Sequence, residues 1–346
     1  MKQIKLIALL VLCNMGFAQN NPPVITNVST SVSGGAVTIT YDLTDNESNA
    51  CDVQLLISGN AGSTYLVKTG TITGDAGTGI TPGVGKQIVW NYDTISNVYA
   101  YSIRLVADDR QLPDIQTIVD QVDSNRLRSS LQFVQGTRHY QSAPSHLEEV
   151  KDTIQSHFVQ AGLQTYTQDF TNLNYLGQNI IGRKPGLGKE DTTYIIDAHF
   201  DSVNDAPGAD DNGSGVVGVL EALRVLASYN FTKSIRFIGF DFEETGLDGS
   251  TKYVQSGMPA WEKTQGVLNF EMIGYYSDKA NSQQVPSGFN LLFPTQYNQL
   301  VTDSFRGNFI VNVGDQQSGD LTQAYQSLSQ QYVPALKTST MNLPGN

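Results

Sequence analysis

From about residue 114 to the end of the chain, short apolar segments alternate with segments of helical periodicity, and this alternation constrains the fold more than any other feature. The pattern predicts strands over residues 179–183, 193–198, 234–240 and 266–272, and helices over 213–229 and 250–256. Strands that alternate with helices form a sheet covered by helices on both faces. We therefore expect residues 114–346 to form a three-layer α/β domain with a mainly parallel sheet.

Residues 21–110 carry a different pattern. Strand-like alternation occurs over 36–41, 51–57 and 99–105, with glycine-rich turns between these segments and no helical periodicity over three turns. Short strands at this spacing predict an all-β sandwich of the fibronectin or immunoglobulin type. This part of the sequence has no cluster of His, Asp or Glu that would do chemistry. Adhesion and assistance to the neighbouring domain are open roles for it, and a spacer is the role we expect.

The first 18 residues have the pattern of a secretory signal peptide. Lys2 and Lys5 precede an apolar stretch that ends in the small residues Gly16 and Ala18, whereas a buried N-terminal helix would not need this order of charge and small residues. We expect a secreted protein, either extracellular or periplasmic. Removal of residues 1–18 would leave Cys51 as the remaining cysteine, which we expect to be a small buried core residue.

The charge of the chain restricts its partners. Acidic residues outnumber basic residues by 33 to 21, which gives a net charge of −12 at pH 7. This charge argues against nucleic acid or an anionic membrane surface as a partner. The sequence also has no run of about 20 apolar residues that would span a bilayer. We expect no nucleic acid and no membrane span.

Histidine and acidic residues stand at the carboxyl ends of the predicted strands, where open α/β sheets bind ligands. His199 and Asp201 are two residues apart, so their side chains project to the same side of an extended chain. His199 can therefore bind a metal ion while Asp201 accepts the hydrogen of its other ring nitrogen. A histidine hydrogen-bonded at a strand end, without a metal, is the plainer interpretation of the same pair.

Further carboxylates follow the other strands. Asp210 and Asp211 come after a Pro-Gly turn at the start of an apolar helix; helix capping would explain one of them, and a metal site would explain both. Glu243 and Glu244 follow the third strand, and neighbouring residues point in different directions. One of the two can bind a metal while the other accepts a proton from water. Glu271, at the end of the fourth strand, adds a carboxylate at the same edge.

Four motifs occur in order: His-Phe-Asp-Ser at 199–202, Pro-Gly-Ala-Asp-Asp-Asn-Gly-Ser-Gly at 207–215, Phe-Glu-Glu-Thr-Gly-Leu at 242–247 and Asn-Phe-Glu-Met-Ile-Gly-Tyr at 269–275. Together they resemble the co-catalytic zinc aminopeptidases, metallopeptidase family 28. The resemblance runs from about residue 115 to the end of the chain. It implies a zinc exopeptidase-like fold and hydrolysis of the N-terminal peptide bond of a peptide or protein substrate.

The resemblance also implies the metal ligands. His199 and Glu271 would hold one Zn²⁺ ion, Glu244 would hold a second, and Asp211 would bridge the two ions. The family further implies a cis peptide bond after the bridging aspartate, between Asp211 and Asn212.

Two further roles follow from the same resemblance. Glu243 would be the general base, and Asp201 would be the carboxylate partner of His199.

The fifth ligand of the family is a histidine in a later motif, and this sequence has no histidine after His199. We therefore expect the peptidase domain to be C-terminally incomplete, the second zinc to bind weakly, and this chain to have little aminopeptidase activity.

Two other functions remain open from the sequence. A single-zinc acyltransferase resembling glutaminyl cyclase would use the same Glu243–Glu244 pair. A catalytically dead surface-binding protein would explain the missing histidine, although the retained base and bridging aspartate argue against it.

Overall fold

The computed structural model describes residues 21–343 apart from residues 61, 63, 64, 66, 68, 93–96, 112, 173 and 188. The expected signal peptide, residues 1–18, lies outside the described residues. The chain divides into two compact units, one made of Met1–Leu55, Gly70–Thr94 and Leu105–Asp114 and the other of Leu56–Thr69, Ile95–Arg104 and Ile115–Asn346. No helix in the described part of the chain is both long enough and apolar enough to cross a membrane.

The N-terminal part of the described chain is rich in β-structure. Its strands are β1 (Val24–Ser33), β2 (Ala36–Thr44), β3 (Cys51–Ser58), β4 (Thr71–Gly74), β5 (Gly77–Ile80), β6 (Gly83–Asn91) and β7 (Ser102–Asp108). One sheet has the order β1-β2-β6-β4 and the other β5-β3-β7. Burial alternates along β2, where Ile39 and Tyr41 are buried and Thr40 between them is not, because successive side chains of a strand point to opposite faces. Cys51 is buried and free, as expected.

The rest of the described chain combines helices and strands. The helices are α1 (Ile115–Val119), α2 (Ser124–Val134), α3 (Pro144–Gln160), α4 (Gly215–Leu226), α5 (Asp248–Lys252), α6 (Phe289–Leu292), α7 (Pro294–Thr302) and α8 (Gly319–Tyr332). The strands are β8 (Gln164–Asn172), β9 (Tyr175–Lys184), β10 (Lys189–His199), β11 (Lys233–Phe240), β12 (Lys263–Asn269), β13 (Phe309–Asp315) and β14 (Lys337–Leu343).

The central sheet is mixed, so the expectation of a mainly parallel sheet is not confirmed. Its order is β12-β10-β11-β9-β8. Strands β12, β10 and β11 are parallel, whereas β9 runs antiparallel to both β11 and β8. The connection from Asn172 to Tyr175 is the reason for the β8–β9 pairing, because a parallel crossover needs a dozen or more residues. A separate parallel pair consists of β13 and β14.

The register of the three parallel strands aligns their carboxyl ends. His199 in β10 is opposite Phe240 in β11, and Asp197 is opposite Asn269 in β12. The chain therefore leaves all three strands at one edge of the sheet. His199, the residues after Phe240 and Glu271 all lie at this edge.

One face of the sheet is covered by α3 and α4, which share a hydrophobic core with it. The core includes Val150, Ile154 and Phe158 from α3, Val219 and Leu223 from α4, and Ile180, Ala198 and Phe237 from the strands. Strand residues buried on both faces explain why the sequence shows continuous apolar runs here rather than alternation. This packing fixes the rigid base from which the polar loops at the carboxyl edge project.

Candidate metal centre

His199 ends β10 with only 3 % of its surface exposed, and both of its ring nitrogens lie close to carboxylates. Nδ1 is 3.3 Å from Oδ1 of Asp201. Nε2 is 3.2 Å from Oδ1 of Asp211 and 3.5 Å from Oε2 of Glu271. Nε2 is buried and has no hydrogen-bond partner. The imidazole is thus oriented through Nδ1, and its other nitrogen lies beside two carboxylates.

These distances fit a zinc ion. His199, Asp211 and Glu271 each offer one ligand atom, and the three atoms lie within 4.8 Å of one another. Zinc binds nitrogen and oxygen at about 2.0–2.2 Å, so two ligands of a tetrahedral ion are about 3.3–3.6 Å apart. The observed separations of 3.2 and 3.5 Å are close to this spacing. The unpaired Nε2 and the two carboxylates are therefore a suitable donor set for zinc.

The electrostatics of the group favour a cation at the same place. Burial by itself lowers the pKa of His199, but the carboxylates of Asp201 and Glu271 more than offset this and raise the pKa to about 10. The ring therefore lies in a field that strongly attracts positive charge. Either a proton or a divalent cation at Nε2 would satisfy that field.

Asn212 connects the segments of two candidate ligands, Asp211 and Glu271. It is fully buried, and its Nδ2 donates to the carbonyl oxygen of Phe270 at 2.8 Å and to Oε2 of Glu271 at 3.1 Å. The preceding peptide bond, Asp211–Asn212, is cis, as the family resemblance implies. Asn212 therefore links the loop that carries Asp211 to the residue after β12. Asn212 is not among the residues that the motifs predict as functional, although it directly follows Asp211 in the sequence.

Asp201 connects His199 to the turn after β11. It is 5 % exposed, and besides contacting His199 it accepts hydrogen bonds from the backbone N–H groups of Glu243, at 3.0 Å, and Glu244, at 3.1 Å. Phe242 has a φ of 54°, in the left-handed region. A bulky residue rarely adopts this conformation, and here it accompanies the sharp exit of the chain from β11. One carboxylate thus positions both an imidazole and the Glu-Glu pair.

Glu243 and Glu244 occupy different places at the site. Oε2 of Glu243 is 3.8 Å from Nε2 of His199, whereas Glu244 is not among the three ligand atoms that converge. Burial raises the pKa of Glu243; His199 lowers it and Asp201 raises it further. Burial and the charge of Asp211 raise the pKa of Glu244, whose Oε1 is buried without a hydrogen-bond partner. Glu243 is therefore next to the candidate ion position, and Glu244 lies to one side of it.

A cavity of about 240 Å³ adjoins this group and is lined in part by Asp201 and Glu244. His139 and Tyr140 form another part of its lining. Nδ1 of His139 accepts hydrogen bonds from the backbone N–H groups of Gln141 and Ser142 at 3.3 and 3.2 Å, so the ring hydrogen of neutral His139 is on Nε2. Nothing in the sequence connects His139 with the motifs that begin 60 residues later, at His199. The cavity provides space for a small ligand beside the carboxylates.

The fold and this group of residues place the protein in the class of α/β proteins with a cluster of potential metal ligands at the carboxyl edge of the sheet. Residues 179–344 match the family model for peptidase family M28. This region, which contains His199, Asp211, Glu244 and Glu271, is therefore similar to peptidase family M28.

Curated relatives match over part of their length. The chain is 42 % identical over 114 residues to aminopeptidase YwaD of Bacillus subtilis (strain 168), covering 32 % of this chain and 25 % of that protein. It is 42 % identical over 127 residues to leupeptin-inactivating enzyme 1 of Streptomyces exfoliatus, covering 36 % and 28 %. It is 32 % identical over 181 residues to a probable leucine aminopeptidase of Trichophyton verrucosum (strain HKI 0517), covering 46 % of each. The chain thus spans less than half the length of these relatives.

Solved structures give weaker likenesses. LapB from Legionella pneumophila has 20 % identity and a TM-score of 0.47, over 66 % of this chain and 57 % of that chain. BSAP, a zinc aminopeptidase from Bacillus subtilis, has 34 % identity and a TM-score of 0.28, over 39 % of this chain and 34 % of that chain. Both scores are too low to establish a shared overall fold.

Proposed function

We propose that this chain carries the metal site of a secreted, zinc-dependent aminopeptidase that hydrolyses the N-terminal peptide bond of peptides or proteins. The observation that carries the proposal is the buried, unpaired Nε2 of His199, 3.2 Å from Asp211 and 3.5 Å from Glu271. The match of residues 179–344 to the model of family M28 and the names of the relatives support a peptidase. The N-terminal pattern of residues 1–18 supports secretion.

Each ligand has a defined place in this proposal. His199, Asp211 and Glu271 would hold one zinc ion, and Asp211 together with Glu244 would hold a second. Asp201 orients His199 through Nδ1 and keeps Nε2 free for the ion, because a ring nitrogen that donates its hydrogen fixes the tautomer. Three protein ligands with an open position are the usual arrangement of a catalytic zinc site.

Bound zinc would polarise the peptide carbonyl and lower the pKa of a water molecule towards about 7. Glu243 would take the proton of that water and pass it to the leaving amine. Its Oε2 is 3.8 Å from Nε2 of His199, so the carboxylate is beside the proposed ion position. Burial raises its pKa, which brings the base closer to neutral pH, where proton transfer in both directions is efficient.

Restriction to the first peptide bond would come from recognition of the free α-amine. Glu244 lines the cavity next to the ligands, and its Oε1 has no hydrogen-bond partner. An ammonium group would satisfy that oxygen and the negative field around it. A substrate with a blocked N-terminus lacks this charge, so it should bind poorly.

The direct test compares leucyl-p-nitroanilide with its N-acetylated form, using concentrated protein with and without zinc. We expect slow hydrolysis of the free-amine substrate that requires zinc and disappears in Glu243→Gln. Equal hydrolysis of the blocked substrate would contradict exopeptidase action, and zinc-dependent turnover no greater than that of Glu243→Gln would contradict the proposed function. Peptides that begin with glutamine provide a parallel assay for the acyltransferase alternative.

A further inference from the structure

Arg138 lies between α2 and α3, and none of its surface is exposed. Its guanidinium donates hydrogen bonds only to backbone carbonyl oxygens, which belong to Phe200 (2.7 Å), Val134 (2.9 Å), Gly136 (2.8 Å), Pro207 (3.2 Å) and Gly208 (2.8 Å). Its own backbone is also engaged, since its N–H donates to Oγ of Ser202 at 2.8 Å and its carbonyl accepts from the N–H of Ser202 at 2.9 Å.

Three of these acceptors, the carbonyl oxygens of Phe200, Pro207 and Gly208, lie on the segments that carry the candidate ligands. Phe200 stands between His199 and Asp201, and Gly208 precedes Asp211 by three residues. The guanidinium therefore bridges the end of β10 and the turn that leads to the bridging aspartate. Phe200 is 62 positions and Gly208 is 70 positions from Arg138 in the sequence.

Gly208 shows how closely the turn packs on the guanidinium. Its φ is 54°, and a Cβ atom added there would lie 2.7 Å from Nη2 of Arg138 and 2.7 Å from the carbonyl oxygen of Asp211. Real Cβ atoms do not make contacts this short, so a side chain at Gly208 would push the turn away from the arginine. The close packing of the turn on Arg138 therefore requires both the glycine at position 208 and the arginine at position 138.

The charge of Arg138 has no ion-pair partner within 4 Å among the residues that the structure describes. Burial lowers the pKa of Arg138 to about 10, while Asp201, Asp211 and Glu244 raise it. The carboxylates of the metal centre are thus its counter-charges, at longer range. A buried cation that is costly to desolvate and forms no ion pair needs another reason for its place.

We propose that Arg138 is a positioning residue for the metal centre: its guanidinium holds the His199 and Asp211 segments at ligand spacing before an ion binds. The proposal rests on the metal site of the proposed function. A planar group with five donors in fixed directions can bind carbonyls from several segments at once. The single ammonium of a lysine cannot reproduce that geometry, so charge alone does not fulfil the role.

The sign of the effect on zinc affinity separates positioning from electrostatics. A positive charge near a cation site weakens cation binding, so removal of that charge would by itself strengthen it. If Arg138 positions the ligands, Arg138→Met instead weakens zinc binding despite the lost positive charge. Arg138→Lys, which keeps the charge, also weakens it.

The experiment measures the zinc dissociation constant by chelator competition for the wild-type chain and for Arg138→Met, Arg138→Lys and Gly208→Ala. The matched control is Arg183→Met, because Arg183 is 2 % exposed and pairs with Glu190 at 2.8 Å, at the end of β10 opposite His199. We expect the first three variants to weaken zinc binding about 10–100-fold, as loss of groups that orient metal ligands does. The control, Arg183→Met, should have a lower Tm than the wild type. Its folded fraction should bind zinc as tightly as the wild type does.

Hydrogen exchange in the metal-free proteins gives a second readout. The amide hydrogens to follow are those of Ser202, bonded to Arg138, of Gly136, bonded to Pro207, and of Gly213, bonded to Gly208. They should exchange faster in Arg138→Met than in Arg183→Met. Gly208→Ala keeps the arginine, so it supplies the same comparison if Arg138→Met does not fold.

The outcomes distinguish this inference from the proposed function. If the wild-type chain binds no zinc, the proposed function fails, and the exchange comparison alone decides the positioning role. If the wild-type chain binds zinc and the folded Arg138 variants bind it as tightly, the positioning role is overturned. Exchange rates at the three amides that are the same in the Arg138 and Arg183 variants would also overturn it.

Discussion

The side-chain amide of Asn212 donates to the carboxylate of Glu271 at 3.1 Å and so ties together two loops that are 59 residues apart in the chain. The same amide nitrogen also donates to the carbonyl oxygen of Phe270. Because its neighbour Asp211 faces His199, Asn212 fixes the distance between two carboxylate ligands. The candidate metal centre is therefore organised in part by a residue that cannot itself be a strong ligand.

Replacing Asn212 with alanine should weaken zinc binding about 10–100-fold, because outer hydrogen-bond partners orient the ligands. Chelator competition measures this directly. Asn312→Ala is a suitable control, since the amide of Asn312 also donates to a backbone carbonyl, that of Thr322 at 2.8 Å, in a strand away from the centre. Equal zinc affinities of the two variants would show that Asn212 does not organise the ligands.

Removing His199 should abolish tight zinc binding. The converging ligand atoms come from His199, Asp211 and Glu271, and loss of the imidazole leaves two carboxylates. We expect about one tightly bound zinc per wild-type chain, since this group supplies three ligands, and none in His199→Ala. Metal analysis after dialysis measures this ratio. The control is His157→Ala, on the exposed side of α3, which should keep the zinc content of the wild type. Tight zinc retention by His199→Ala would show that His199 is not a ligand of the bound ion.

Glu243→Gln should separate metal binding from chemistry. The substitution keeps the size of the side chain but removes its basicity, so we expect the rate of zinc-dependent hydrolysis to fall about 10²–10⁴-fold with zinc content unchanged. Steady-state kinetics and metal analysis on the same sample are the measurements. Glu149→Gln, at a side chain that is 66 % exposed on α3, controls for the change in charge. Full activity in Glu243→Gln would assign the base to another residue.

Asp241 should make stability fall as the pH rises. Burial raises the pKa of this carboxyl from 3.8 to about 7, although hydrogen bonds from the backbone N–H groups of Gln178 and Phe242 lower it. Between these two values the folded chain binds more protons than the unfolded chain, so stability is lost as the pH rises through that range. Asp241→Asn removes this contribution. The Tm of the variant minus the Tm of the wild type should therefore be more positive at about pH 8 than at about pH 5.

Thermal unfolding of both proteins at the two pH values tests this expectation. Asp152→Asn, at an exposed position of α3, shows the effect of removing a surface carboxylate. The Asp241 interpretation would be wrong if the difference in Tm between Asp241→Asn and wild type were the same at both pH values.

The sequence by itself determined which side chains could meet. Apolar runs predicted β10, β11 and β12, and polar motifs at their ends placed His199 and Glu271 at one edge, because the carboxyl ends of parallel strands coincide. The structure shows the parallel arrangement of these three strands and the approach of His199 to Glu271. Local spacing was enough here because each residue directly follows a strand whose position the core fixes.

Only the tertiary structure decided the direction of β9, the exclusion of Glu244 from the converging ligand atoms and the places of Arg138 and Asn212. Periodicity reports which residues are buried, and β9 is buried along most of its length because it lies inside the sheet, whichever way it runs. Hydrogen bonds such as that of Arg138 to Phe200, 62 residues away, depend on how distant segments pack. A single sequence records the residues at both ends of such a bond but not the fact that folding brings them together.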